Sequence, residues 1–212
     1  MAYAFPTTSV LDNCQRADEN PLSNGGLWTT MANLPSGLEL LSKKIEPVSS
    51  FGGSYIGLYT NPESWCTWDS VSNQLIMSVR ILDSAGNSPI RDDHRQGYQW
   101  SMGATTYKLE RPDDGSTGVT LIADTAYAGG AIAGGTQFGV RSLVTGHELW
   151  IRRPGAALFT QEASATDGKY VRPGVNYFQL FDAGGDRIVT VGGGEFQLVA
   201  QVPLHLLGTP RR

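Results

Sequence analysis

Cysteine and histidine are scarce: 212 residues hold two cysteines, Cys14 and Cys66, and three histidines. That scarcity excludes a disulfide framework, and no Cys/His set stands at zinc spacing, so neither a metal nor a cofactor is expected. The cysteines read as two buried thiols, with one long-range disulfide as the alternative. Positive charge is thin as well. Sixteen Lys and Arg stand against twenty Asp and Glu, giving a net charge of −4, and basic runs such as Arg152-Arg153 and Arg211-Arg212 stop at two residues. Such a surface lacks the electrostatic footprint that binding a phosphate backbone requires, so no nucleic-acid partner is expected. Long apolar runs are missing too. The start, Met1-Ala-Tyr-Ala-Phe-Pro6, has no basic stretch followed by an apolar core, and nothing approaches the roughly 20 apolar residues of a membrane span. Neither a signal peptide nor membrane insertion is expected.

What is present is glycine, 26 residues, with 11 prolines and a hydrophobic share of 40%. That much apolar surface excludes disorder, and the glycine excess favours strands and tight turns over charge-laced helices. Alternation is clearest at 75–82, where Leu75, Met77, Val79 and Ile81 share one face while Ser78 and Arg80 take the other, as in a half-buried strand. It recurs at 106–110, 118–124, 148–152, 175–182, 187–191 and 195–202. Turn chemistry separates these runs, at Asp83 to Asn87, Pro112 to Gly115, Arg153 to Gly155, Arg172 to Gly174 and Asp182 to Asp186. The segment 37–45 lies between Pro35 and Pro47 and reads as a strand, and the Gly/Ala-rich stretch 124–139 reads as a long connection or a tightly packed bend. Punctuation every 8 to 12 residues or so predicts a single all-β sandwich or barrel.

The segment from Val10 to Trp28 carries a resemblance. Its Asp12-Asn-Cys-Gln-Arg16-Ala-Asp18 run, followed by Gly25-Gly-Leu-Trp28, resembles the opening of concanavalin A-like (laminin-G-like) jelly-roll domains common in phage tail and capsid-associated proteins, with Cys14 where that family has an aromatic. The order of later features is similar: a strand ending near Tyr55 to Tyr59, a Trp-containing turn at Trp65 to Trp68, then Gly97-Tyr98 and Tyr107 to Glu110. Val191-Gly-Gly-Gly-Glu-Phe196 looks like the strand that closes beside the first. The resemblance implies an all-β, two-sheet antiparallel jelly-roll β-sandwich over residues 7–202, with an N-terminal arm at 1–6 and a C-terminal tail at 203–212. Trp28, large and placed just after a turn, is expected in the core.

Paired carboxylates on one strand would suit glycoside hydrolysis, but the seven glutamates, 39, 46, 63, 110, 148, 162 and 195, stand singly. Lys169 to Tyr177 loosely resembles the terminal Tyr-containing motif of lyase-type jelly rolls, with Tyr177 as a base only if a neighbour lowers its pKa. Asp92-Asp93-His94 and Asp113-Asp114 read as solvated turns. No catalytic residue is assigned.

Binding has more to work with. Trp65, Trp68, Tyr98 and Trp100 flank the central strands, and sugar rings offer apolar faces that aromatics can cover; the same four residues fit core or interface packing. The leading expectation from the resemblance is a virion structural part, a homo-oligomer with a trimer favoured, bound to other virion proteins through Pro203, His205, Leu206, Leu207, Arg211 and Arg212. A carbohydrate-binding module that recognises a host-surface glycan is the second reading, and a polysaccharide lyase or hydrolase the third.

Overall fold

The computed structural model describes residues 5–34, 36–70, 72–114, 117–182 and 185–196. The first strands are β1 (Val10–Asp12), β2 (Thr29–Thr30), β3 (Leu38–Leu41), β4 (Lys44–Pro47), β5 (Phe51–Tyr59), β6 (Pro62–Ser70) and β7 (Gln74–Asp83). A single 3₁₀ turn, Asp92–His94, precedes β8 (Arg95–Gly103), β9 (Thr106–Asp114), β10 (Thr117–Ala126) and β11 (Thr136–Ser142). The chain continues through β12 (Gly146–Arg152), β13 (Thr160–Thr166), β14 (Gly174–Phe181) and β15 (Arg187–Glu195).

These pair into two antiparallel sheets. One has eight strands in the order β13-β12-β11-β6-β15-β4-β3, with β1 also on β15; the other has seven in the order β10-β9-β8-β7-β14-β5-β2. The expected closing strand does lie beside the first, with Val10 opposite Gly192 and Asp12 opposite Val191. Between the sheets the inward sets of β7, β8, β11 and β14 meet in one core that includes Met77, Val79, Trp100, Phe138 and Phe178. Each such side chain stabilises the fold by about 1.5–3 kcal/mol through burial.

Four expectations change. Strand β7 is covered on both faces rather than half-buried, with Ser78 and Arg80 each 1% exposed. Arg80 sits at a bulge with φ of 59°, which swings its side chain between the sheets to Ser142 Oγ at 2.8 Å and the Leu143 carbonyl at 3.0 Å. The segment 37–45 is not one strand but parts of a hairpin, β3–β4, because Ser42 and Lys43 both take positive φ and reverse the chain in two residues. Trp65 to Trp68 is the middle of β6 and not a turn, since burial on both of its faces hides the alternation. Strand β10 runs to Ala126, so the Gly/Ala-rich connection shrinks to 127–135, tied down where Ile132 N–H donates to the Ala104 carbonyl. Residues 197–202, expected to continue the last strand, and the tail 203–212 with its six candidate assembly residues lie outside the described residues.

The motif after β1 is a structural clasp. Buried Asp12 accepts from Trp28 Nε1 at 2.9 Å, Cys14 N at 2.8 Å and Arg16 Nη1 at 2.6 Å. Arg16 also holds Glu19, whose carboxyl it pulls down to about 2, and Glu19 caps the N–H groups of Ser23 and Asn24. Trp28 is in the core as expected, and both cysteines are buried free thiols. On the outer face of the eight-stranded sheet, Phe5 of the expected arm lies across Gly139 and stacks on Trp150 at 5.4 Å. Beneath it a buried pair, Arg141 and Glu63, closes at 2.6 Å, with Glu63 accepting the N–H groups of Thr7 and Thr8.

Candidate functional site

The four aromatics expected to form a glycan platform are inside the protein. Trp68, Tyr98 and Trp100 have no exposed surface, and Trp65 keeps 8%. Tyr98 and Trp100 point inward from β8. Tyr98 stacks on His147 with ring centroids 3.6 Å apart and donates to Asp167 Oδ1 at 2.7 Å, while Trp68 packs against Phe138. Trp65 faces the other way from β6 and is covered by the N-terminal segment, its indole N–H donating to the Thr8 carbonyl. The correction follows from strand alternation: if Tyr98 and Trp100 point in, Gln99 and Ser101 point out.

That outer face of the seven-stranded sheet carries the candidate site. Cross-strand register places Thr29, Tyr55, Tyr177, Ser78, Gln99, Glu110 and Thr120 in one row across β2, β5, β14, β7, β8, β9 and β10. The next row holds Gly53, Gln179, Ile76, Ser101 and Lys108. Tyr177 lies flat over β5 because Gly53 has no side chain; a Cβ there would be 2.4 Å from the phenol oxygen. Asp83 organises the rim by accepting from the N–H groups of Ala85 and Arg91 at 2.8 and 2.9 Å, and the 3₁₀ turn follows.

The face is unusual in what it leaves unpaired. Among the described residues ten buried side-chain polar atoms lack a hydrogen-bond partner, and six belong here: Ser78 Oγ, Asp92 Oδ1, Arg95 Nε, Arg95 Nη1, Gln99 Oε1 and Tyr177 OH. Arg95 and Asp92 form an ion pair at 3.3 Å without hydrogen-bond alignment, and the guanidinium sits 5.5 Å from the Tyr177 ring centre. Buried polar groups are normally satisfied, each orphan costing about 1–3 kcal/mol, so a cluster of donors and acceptors on one face marks a place built for something polar. Half-buried Tyr55, Phe51 and Phe181 flank it, the last two stacked at 6.0 Å. Met31 and Ile90 pack on its apolar end with Ile76, Ile81 and Tyr177.

Other constellations are spoken for. Ser142 and His147 meet at 2.9 Å, but both are fully buried; Ser142 Oγ accepts from Arg80, and His147 Nε2 faces the Asp167 carbonyl at 2.8 Å. A hydroxyl so enclosed is an internal tie rather than an accessible nucleophile. Burial pushes the Tyr177 phenol up, the opposite of what a base needs. Asp93 is held by Arg91 and His94 by Asp114, and Asp113 by Arg111 and Lys169. Among the described residues no group of three His, Cys, Asp or Glu could hold a metal ion.

No protein-family model matches the chain, and no curated protein gives a significant match. Solved structures do. The exoplasmic/lumenal domain of VIP36 in its Ca²⁺-bound form superposes with a TM-score of 0.60 at 8% identity, over 82% of this chain and 85% of that one. The carbohydrate-binding module CBM66 from Bacillus subtilis gives 0.54 at 12%, over 82% and 96%, and a B. subtilis protein of unknown function with a galectin-like fold gives 0.54 at 8%, over 81% and 91%. At these identities the likeness is one of fold: the chain is a concanavalin A-like, two-sheet jelly-roll β-sandwich. The jelly-roll part of the expectation drawn from Val10 to Trp28 is therefore met, and nothing in these structures links the chain to virion proteins.

Proposed function

We propose that this protein is a carbohydrate-binding module that takes a polyhydroxylated ligand on the outer face of the seven-stranded sheet. The observation that carries the reading is the set of unpaired buried groups on that face, Ser78, Asp92, Arg95, Gln99 and Tyr177. Sugars are dense in hydroxyls that donate and accept at once, and their apolar ring faces suit the flanking Tyr55, Phe51 and Phe181. The carbohydrate-binding names among the structural neighbours favour the same class at the level of fold. Met31 and Ile90 pack with Tyr177, which has no exposed surface, so ligand entry requires them to yield.

The role of host adhesin on a virion, with trimeric assembly, rests on the sequence resemblance alone and is subordinate here. The lyase reading loses its proposed base, since Tyr177 is shielded and its phenol is pushed up. The test is Tyr177→Phe, which deletes one oxygen that has no partner in the free protein. Its melting temperature should equal or exceed that of the wild type, while affinity for polysaccharides in affinity electrophoresis should fall about tenfold, the cost of roughly one hydrogen bond. Unchanged retention by every bound polysaccharide would remove this face from consideration.

A further inference from the structure

We infer, resting on that reading, that the ligand is an uncharged glycan rather than a uronate, sialylated or sulfated one. The charges on and around the face are answered from within the protein. Arg95 stands 3.3 Å from Asp92, and Lys108 stands 3.1 Å from Glu110 in the rows beside Gln99 and Ser101. On the rim Arg91 pairs with Asp93 at 2.7 Å. Asp83, cross-strand from Arg95, is left as a further negative charge. Four carboxylates, Asp83, Asp92, Asp93 and Glu110, thus face three cations, Arg91, Arg95 and Lys108, and the balance opposes an incoming anion.

The geometry of Arg95 points the same way. Anion-binding sites use arginine as a fork, with two parallel N–H groups on one edge closing on one carboxylate or sulfate. Here Nε and Nη1, which lie on different edges of the planar guanidinium, lack an aligned hydrogen bond, and Nη1 already stands 3.3 Å from Asp92 Oδ1. That leaves Nε as a single donor, which suits one hydroxyl better than the paired oxygens of a carboxylate or sulfate. The remaining orphans are two hydroxyls that both donate and accept, Ser78 and Tyr177, and an amide carbonyl oxygen on Gln99, which requires a donor from the ligand. A carboxylate or sulfate group has no proton to give that acceptor at neutral pH, so the ligand group that meets Gln99 is a hydroxyl.

The test is binding of wild type and Tyr177→Phe to a panel of neutral polysaccharides, such as glucans, mannans and galactans, beside polyuronates and sulfated glycans. Each is measured by affinity electrophoresis or calorimetry at about 0.05 M and about 0.5 M salt, a range over which exposed charges are screened. The inference expects neutral glycans to bind, affinity to change less than about twofold with salt, and Tyr177→Phe to weaken binding about tenfold. Selection of an anionic glycan, with steep salt dependence and the same loss in Tyr177→Phe, overturns the ligand class while leaving the face as the binding site. Glycan binding that is indifferent to both Tyr177→Phe and Gln99→Ala overturns the face and this inference together, and failure to bind any member of the panel overturns the carbohydrate reading itself.

Discussion

His147 makes the fold's stability depend on pH in a window where few other groups titrate. The ring has no exposed surface, lies 3.6 Å from Tyr98, and bridges Ser142 Oγ at Nδ1 and the Asp167 carbonyl at Nε2. Because Nε2 faces only a carbonyl, it carries the proton. Ser142 Oγ accepts from Arg80 Nε, so the hydroxyl proton turns toward Nδ1. Protonating Nδ1 would set two donors against each other beside the Arg80 charge, in a site stripped of water. Burial is the largest cause, and it pushes the imidazole from 6.5 down to about 4. In the unfolded chain the ring binds a proton as pH falls below 6.5, while the folded ring does not until about 4. Stability contributed this way is complete above pH 7 and declines by up to about 1.4 kcal/mol per pH unit as pH falls through that window. Between pH 7 and pH 5 the loss is about 2 kcal/mol. The assay is urea unfolding across that range for wild type and for His147→Gln, whose amide can keep both hydrogen bonds without titrating. Wild-type stability should fall relative to the variant by that amount. Parallel pH profiles for the two proteins would refute the reasoning, as would a ring titration near 6.5 in the folded state by NMR.

Two further outcomes follow from the core and the clasp. Trp100→Ala should destabilise by about 3–5 kcal/mol in urea unfolding, as deletion of a buried aromatic does; a variant of native stability that had lost only glycan binding would contradict its place between the sheets. Asp12→Ala strands the indole N–H of Trp28 and the Cys14 amide in the interior, and should cost about 3 kcal/mol, whereas Asp18→Ala, which loses an exposed acceptor for the Ser42 amide, should cost less than about 1 kcal/mol by the same assay.

Much of the architecture was legible along the chain because an antiparallel sheet writes itself in period two and in turn residues. The runs at 106–110, 148–152 and 175–182 and the turn before Trp28 followed from local pattern, while the pairing of Val191 and Gly192 with β1 followed from the family resemblance. The strands that misled were those buried twice. At β6 and β7 the outer face is also covered, by Phe5 in one case and Met31 in the other; at β6 apolar residues occupy both parities and alternation fades, while at β7 clear alternation hides that the polar parity, Ser78 and Arg80, is buried too. The Trp65, Trp68, Tyr98 and Trp100 set failed as a site for a related reason: aromatics serve cores and sugar platforms equally, and strand parity sent Trp68, Tyr98 and Trp100 into the core and Trp65 under the N-terminal segment. The informative signal was beside them, in the polar Gln99 and Ser101 that alternate with Tyr98, Trp100 and Met102.

By itself, then, the sequence determined that the chain is all-β with little helix and short strands separated by turns, because those properties depend on composition and short-range periodicity. Tertiary structure alone decided which groups meet. Ser78, Gln99 and Tyr177 come from three strands up to 99 positions apart, and only register aligns them in one row. Alternation says which face a side chain takes but not which strand lies next to it, and a binding face is made of neighbours.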